Sequence, residues 1–101
     1  MGGGVIWKPK ALRQFKEIQQ YIKVTFGKAT LDKFLDDLFE VTERLRENQE
    51  IERPTAVRGV GRAKVYKKTN LFYRIQKGNV VIHRVSDQRQ DPQKNPYLRK
   101  R

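Results

Sequence analysis

The sequence predicts an α+β domain with the element order β-α-α-β-β-β, in which a helical hairpin packs on a small antiparallel sheet. Three observations predict this fold class. Apolar residues recur at helical spacing through residues 10–47, an alternation of period two begins near residue 62, and short turn sequences separate the segments that follow. A length of 101 residues fits a single domain over residues 1–101, with a flexible start at residues 1–4 and a basic tail at residues 93–101.

The first half of the chain predicts one strand and two helices. Residues 5–7 are apolar and too few for a helix, so they predict a strand, and Pro9 suits a first helical turn. The first helix carries an apolar stripe at spacings of three and four: Ala11, Phe15, Ile18, Ile22 and Phe26. Gly27 predicts a break between the helices. The second stripe, which faces the same core, contains Leu31, Leu35, Leu38, Thr42 and Leu45.

The second half predicts three strands joined by short turns. Pro54 ends the helical half, and residues 55–61 form a glycine-containing loop. The predicted strands cover residues 62–68, 71–76 and 80–85. Turns at residues 69–70 and 77–79 connect them into an antiparallel meander.

The charge of the chain is concentrated in this second half. Residues 51–101 hold 14 Lys/Arg against 3 Asp/Glu, a net of +11, whereas residues 1–50 hold 9 against 8, a net of +1. This asymmetry indicates a polyanionic partner, most often nucleic acid. The chain contains no cysteine, which excludes disulfides and thiolate metal sites and agrees with a cytoplasmic location. No run of about 18 apolar residues predicts a membrane span, and no metal or cofactor is expected.

A cationic strand face is the first candidate for function. Alternation predicts that one face of the strand over residues 62–68 carries Arg62, Lys64, Tyr66 and Lys68. If helices cover the other side of the sheet, this face points to solvent. Three cations and an aromatic ring can then contact phosphates and stack a base. The same residues would also make an ordinary solvated face.

Four further arginines lie in or beside the later strands. Arg58 in the glycine-containing loop and Arg74 in the middle strand are candidate nucleic-acid contacts, although Arg74 could instead pair with a carboxylate of the helical layer. Arg84 lies in the last strand and Arg89 follows it. An arginine at a strand end can bind a phosphate in bidentate fashion or stabilise charge that develops on it. Arg89 is the preferred candidate because it lies outside the regular strand.

Few side chains are available for acid–base chemistry. His83 is the only histidine, and its position between valines of the predicted strand fits either a packing role or a catalytic one. Asp87 and Asp91 fit proton transfer or ordinary turn positions. Tyr97 could stack a base or anchor the basic tail. Because no metal-ligand cluster or nucleophile triad is present, a cleavage reaction would suit RNA, whose 2′-hydroxyl supplies the nucleophile.

Residues 5–95 resemble the toxins of the RelE/ParE superfamily, which belong to type II toxin–antitoxin pairs. Residues 6–22 resemble the opening strand and first helix of these toxins, and residues 72–75, Phe-Tyr-Arg-Ile, resemble their middle strand. Residues 82–92 resemble the last strand and the motif that ends it. The resemblance implies the RelE/ParE-like fold and a cognate acidic antitoxin that forms a hetero-oligomer with the toxin.

The resemblance also implies one of two activities. RelE-like members cut messenger RNA on the ribosome with paired basic residues on the second strand, an arginine after the last strand and sometimes a C-terminal tyrosine. The matching candidates are Arg62, Lys64, Arg89 and Tyr97. ParE-like members poison DNA gyrase, and two features favour that side: the long hairpin of residues 10–47, and Asp87 where many relatives have a histidine.

A metal-independent, ribosome-dependent mRNA endoribonuclease is therefore our principal expectation. The alternatives are a gyrase inhibitor without nuclease activity and a non-toxic RNA-binding module. The acidic antitoxin should be disordered in its C-terminal part when alone, and should fold across the hairpin or the sheet of the toxin.

Overall fold

A four-stranded mixed sheet with two helices on one face makes up the computed structural model, which describes residues 3–87. The elements follow in the predicted order: β1 (Val5–Trp7), α1 (Pro9–Phe26), α2 (Lys28–Glu47), β2 (Gly61–Val65), β3 (Thr69–Gln76) and β4 (Asn79–Asp87). The strand order across the sheet is β1-β4-β3-β2. The α+β class and its element order are confirmed, with one refinement: β1 runs parallel to β4, so only the β2-β3-β4 meander is antiparallel.

The helical hairpin turns at Gly27, as predicted. Pro9 occupies the first turn of α1, where its missing N–H costs nothing. Gly27 has a φ of +94°, a backbone conformation that side-chain-bearing residues rarely adopt, and its N–H donates to the Lys23 carbonyl at 3.0 Å. Its own carbonyl accepts the Leu31 N–H, so a single residue ends α1 and begins α2.

The core lies between this hairpin and the inner face of the sheet. Aromatic rings link three elements: Trp7 of β1 contacts Phe15 of α1 at 5.3 Å between centroids, and Phe15 stacks on Phe34 of α2 at 6.3 Å. The fully buried strand residues of the cluster include Val65, Leu71, Tyr73, Val80 and Ile82. Each such side chain contributes about 1.5–3 kcal/mol through burial. Phe26, the last residue of the predicted first stripe, is an exception at 53% exposed, because it lies beside the hairpin turn.

The turn between β2 and β3 differs from the prediction. Residues 66–68 form it, whereas Thr69 and Asn70, predicted as the turn, pair within the sheet with both neighbouring strands. Tyr66 has a φ of +55°, which ends the extended backbone after Val65. The N–H of Tyr66 donates to the carboxylate of Asp37 on α2, a residue 29 positions earlier in the chain. A contact this distant in sequence leaves no local signal.

A β-bulge in β4 changes which residues face the helices. Phe72 pairs with Arg84 and Tyr73 with Ile82, so His83 is the extra residue between them. Val80 and Ile82 face the core before the bulge, and Val85 faces it afterwards. The expectation that His83 alternates simply with its neighbouring valines is therefore wrong, because the bulge shifts the alternation by one residue. β4 also extends to Asp87, beyond the predicted end at residue 85.

At both edges of the sheet, backbone N–H groups that lack a neighbouring strand donate to groups outside the sheet. β2 is an edge strand, and the Arg62 N–H, which points away from β3, donates to the Arg53 carbonyl at 2.9 Å. The Tyr66 N–H is held by Asp37 at the other end of the same edge. Beyond the end of β1, the Val85 N–H of β4 donates to Oε1 of Gln14 on α1 at 3.0 Å. Side chains and a loop carbonyl thus accept the hydrogen bonds that a further strand would otherwise accept.

Candidate functional site

The face of the sheet that points away from the helices, here called the outer face, carries the candidate site. The residues that alternation and strand register place on it include Ile6, Arg62, Lys64, Phe72, Arg74, Val81, His83 and Arg84. From residue 61 to residue 87 the chain has seven Lys/Arg and one acid, Asp87. Asp87 lines a cavity on the helical side with Ile22 and Phe26. The described part of the outer face therefore carries cations without a carboxylate.

The strand register brings three of these side chains into one row. Arg62 of β2 lies opposite Phe72 of β3, and Phe72 lies opposite Arg84 of β4. Adjacent strands are about 4.8 Å apart, so the two arginines flank the aromatic ring at about 10 Å from each other. Phe72 is fully buried, so it does not offer an open surface for stacking a base. The row can still present two guanidinium groups to one extended anion.

Arg74 is fixed by the loop before β2. Its Nη1 donates to the Arg58 carbonyl at 3.2 Å. Gly59 makes this approach possible, because a Cβ atom there would lie 2.6 Å from the same Nη1, and its φ of +79° also favours glycine. The predicted alternative, an ion pair between Arg74 and the helical layer, is wrong: Arg74 lies on the opposite face. The backbone carbonyl of Arg58 thus holds Arg74, and the Arg58 side chain is exposed.

The bulge carries two nitrogen atoms that lack partners. Nε2 of His83 and Nε of Arg84 are buried and make no hydrogen bond. An unsatisfied buried polar atom costs about 1–3 kcal/mol. Burial lowers the pKa of His83, and the charges of Arg74 and Lys8 lower it further. His83 is therefore neutral at physiological pH and is surrounded by positive charge.

The ion pairs of the described residues involve two arginines near the end of α2. Arg44 bonds Glu52 at 2.8 Å, and Arg46 bonds Glu43 at 2.7 Å and approaches Glu47 at 3.8 Å. The hydrogen bond with Arg44 lowers the pKa of Glu52, and that with Arg46 lowers the pKa of Glu43. Within residues 3–87, no ion pair involves a cation of the outer face. Within the described residues, a carboxylate therefore does not neutralise these charges.

Two of the four residues predicted to share a strand face do not lie on it. Arg62 is partly exposed and Lys64 exposed on β2, as predicted. Tyr66 and Lys68 belong instead to the turn, because the strand ends at Val65. Tyr66 packs against the core cluster, and Nζ of Lys67 lies 5.4 Å from its ring centroid. Tyr66 therefore offers no stacking platform beside Arg62.

The turn instead borders a cavity beside Gly27, at the closed end of the helical hairpin. Its volume is about 340 Å³, and its lining combines apolar and charged side chains: Ile22, Phe26, Thr30, Tyr66, Lys67, Lys68, Thr69 and Asp87. Asp87, a candidate for proton transfer, thus lies on the side of the sheet away from His83 and the outer-face arginines. Within residues 3–87, the candidates for acid–base chemistry, His83 and Asp87, are therefore separated by the sheet.

The remaining candidates, Arg89, Asp91 and Tyr97, lie outside the described residues. Two contributors to the outer face were missed by the sequence: the buried Phe72 and Lys8, which follows β1 and acts on the pKa of His83. The sequence pattern predicted a strand at Phe72, but it contained no indication that Phe72 would be buried on the outer face.

No group of acidic, His and Cys side chains within residues 3–87 could hold a metal ion, and none of the helices in that range could cross a membrane.

Of the comparisons with known proteins, a family model identifies the family and a solved structure matches the fold. The family model described as "ParE toxin of type II toxin-antitoxin system, parDE" matches residues 5–92. A solved structure entitled "Chromosomal ParDE TA system from P. aeruginosa" is 23% identical, covers 83% of this chain and 94% of its own, and superimposes with a TM-score of 0.70. That structure shares the fold described above. No curated protein matches the sequence.

Proposed function

This chain belongs to the ParE toxin family of type II toxin–antitoxin systems, and on that premise we propose that it arrests growth by inhibiting DNA gyrase, without nuclease activity. The observation that carries the proposal is the family match over 88 of the 101 residues, residues 5–92. Members of this family usually target gyrase. The toxin would act in the cytoplasm, together with an antitoxin.

The helical hairpin supports a protein target. Seven large apolar side chains are exposed among the described residues, and five of them lie on α1 and α2: Leu12, Tyr21, Val24, Phe26 and Phe39. Val24 is 72% exposed and Phe39 is 65% exposed. Exposed apolar patches often mark protein interfaces, in which aromatic residues are enriched. The hairpin therefore provides a surface that a protein partner can bury.

The acid–base chemistry of the described residues gives no support to a nuclease. His83 is the one side chain whose ordinary pKa lies near neutrality, and its environment lowers that pKa. Its Nε2 atom is buried. Asp87 lies on the other side of the sheet. A gyrase inhibitor needs neither group for proton transfer.

A supercoiling assay with purified gyrase tests the proposal. We expect this protein to block the supercoiling of relaxed plasmid, and normal supercoiling at saturating protein would refute it. Phe39→Ala should weaken inhibition by about tenfold, the loss typical of a residue that matters to an interface. The matched control is Ile51→Ala, because Ile51 is also exposed (40%) but lies outside the hairpin. Equal inhibition by both variants would remove the hairpin from the gyrase interface.

A second candidate function, ribosome-dependent mRNA cleavage, is favoured by Arg62 and Lys64. Both lie on β2, the second strand, where RelE-like toxins carry paired basic residues, and neither has an ion-pair partner among the described residues. Primer extension on translated mRNA would reveal cleavage. Under this hypothesis Arg89→Ala should lose activity by a factor on the order of 10²–10³ while staying folded, and Arg89→Lys should recover part of it. Intact transcripts during growth arrest would exclude the nuclease.

The antitoxin is proposed to be acidic. A partner of this charge would neutralise the basic sheet with fast, salt-sensitive association. Co-expression of the neighbouring small protein should restore growth, and the two should co-purify. Failure of both would contradict the partner, and continued growth with the toxin alone would point to the non-toxic RNA-binding module.

A further inference from the structure

We propose that the bulge of β4 forms part of a binding site for a phosphate group, built from His83, Arg84, Arg74 and Lys8. The gyrase target neither requires nor supplies this site. The proposal rests on how the strand register gathers the four side chains, on their charge and on the two nitrogen atoms that the protein leaves without partners.

The register surrounds His83 with cations from three elements. β1 pairs Trp7 with Ile82, and the Lys8 N–H donates to the Ile82 carbonyl at 2.9 Å, so Lys8 lies on the β1 side of His83. Arg74 of β3 lies on the other side, opposite Val81. The charges of both residues act on the imidazole. Arg84 follows directly in the chain, and a bulge directs its two residues toward the same face.

The charge of this cluster suits a phosphate better than a carboxylate. Arg74, Arg84 and Lys8 together carry three positive charges, and no carboxylate among the described residues acts on His83. A phosphate group offers more oxygen acceptors and more charge than a carboxylate, and two guanidinium groups can each bind it through parallel hydrogen bonds. The Arg58 carbonyl already holds Arg74 in position, so the loss of side-chain freedom on binding is smaller.

The unpartnered nitrogens indicate where phosphate oxygens would bind. Nε of Arg84 is a donor, and Nε2 of His83 can donate or accept according to its tautomer. Both side chains are partly exposed, so a change of rotamer can bring each nitrogen to the surface. A bound phosphate would then supply the hydrogen bonds that the folded chain leaves unmade.

The phosphate could be free in solution or part of a nucleic-acid backbone, and two ligands distinguish these sources. NMR of ¹⁵N-labelled protein follows the Nε–H of Arg84 and the imidazole of His83 during titration with inorganic phosphate at constant ionic strength. The second titration uses a single-stranded oligodeoxythymidine. We expect inorganic phosphate to shift both groups in a saturable manner. The same shifts with the oligonucleotide would identify a backbone phosphate, and their absence would identify free phosphate.

A matched pair of variants tests whether the site is specific. Arg84→Gln should weaken phosphate binding by about tenfold or more, because it removes a charge-assisted contact. Arg13→Gln makes the same change of charge at an exposed position of α1 and should have little effect. Equal weakening in the two variants would overturn the proposal, since it would show binding to net charge alone. Unchanged Arg84 and His83 signals with both ligands would also overturn it, even if Arg84→Gln failed to fold. Neither measurement uses gyrase or growth.

Discussion

Tyr73→Phe removes a single oxygen atom that ties the loop after α2 to the sheet. Tyr73 is fully buried, and its hydroxyl donates to the Glu50 carbonyl and accepts the Glu52 N–H, both at 3.0 Å. The neighbouring strand makes room for the ring at Gly61, where a Cβ atom would lie 2.9 Å from Cζ of Tyr73. The hydroxyl is therefore held by tight packing as well as by two hydrogen bonds.

The expected loss of stability follows from these two bonds. Each neutral hydrogen bond contributes about 0.5–1.5 kcal/mol, so the pair contributes about 1–3 kcal/mol. Glu50 and Glu52 are exposed, and water can replace part of what their backbone groups lose. We therefore expect the free energy of unfolding to fall by about 1–2 kcal/mol. For a domain of this size, each kcal/mol lowers Tm by about 4–8 °C.

Urea and thermal unfolding of Tyr73→Phe measure this loss, with Tyr66→Phe as the matched control. The Tyr66 hydroxyl has no hydrogen bond within the described residues, so its removal should change stability by less than about 0.5 kcal/mol. Burial raises the pKa of Tyr73, so the folded state keeps its proton after the unfolded state has lost it. Wild-type stability should thus fall as the pH rises above about 10. Equal stability of the wild type and Tyr73→Phe would refute the reasoning.

Three further changes test other parts of the structure. Gly59→Ala should cost about 1–2 kcal/mol in urea unfolding, because its φ of +79° disfavours a side chain and the new Cβ would displace Arg74. Asp37→Ala should cost about 1–2 kcal/mol, since the Tyr66 N–H loses its acceptor, whereas the exposed neighbour variant Asp36→Ala should be nearly neutral in the same assay. The lowered pKa of His83 means that the unfolded state binds its proton more readily, so stability should fall as the pH drops below about 6.5. Chemical unfolding of His83→Gln across that range should show a smaller fall.

The fold was easier to predict from the sequence than the site. Local patterns determine where helices and strands form, whereas contacts between distant residues determine which face of the sheet a side chain lies on. The helical stripes and Gly27 were sufficient for the hairpin. The turn at residues 66–68 was missed because its conformation depends on Asp37, far away in the chain. Arg62 and Lys64 were placed correctly by alternation alone. The row with Arg84 depends on a bulge that becomes visible only when β4 is aligned with β3.

The covered edge of β2 also bears on how the molecule avoids self-association. An added strand from a second copy would need a series of outward N–H and C=O groups. At this edge, the Arg53 carbonyl already accepts the Arg62 N–H, and the Asp37 carboxylate accepts the Tyr66 N–H. Lys64 lies between these two hydrogen bonds. The Lys64 side chain is charged and exposed, and it would face the same charge on an incoming copy. The edge thus resists the strand-to-strand stacking that leads to aggregation and to amyloid-like fibres.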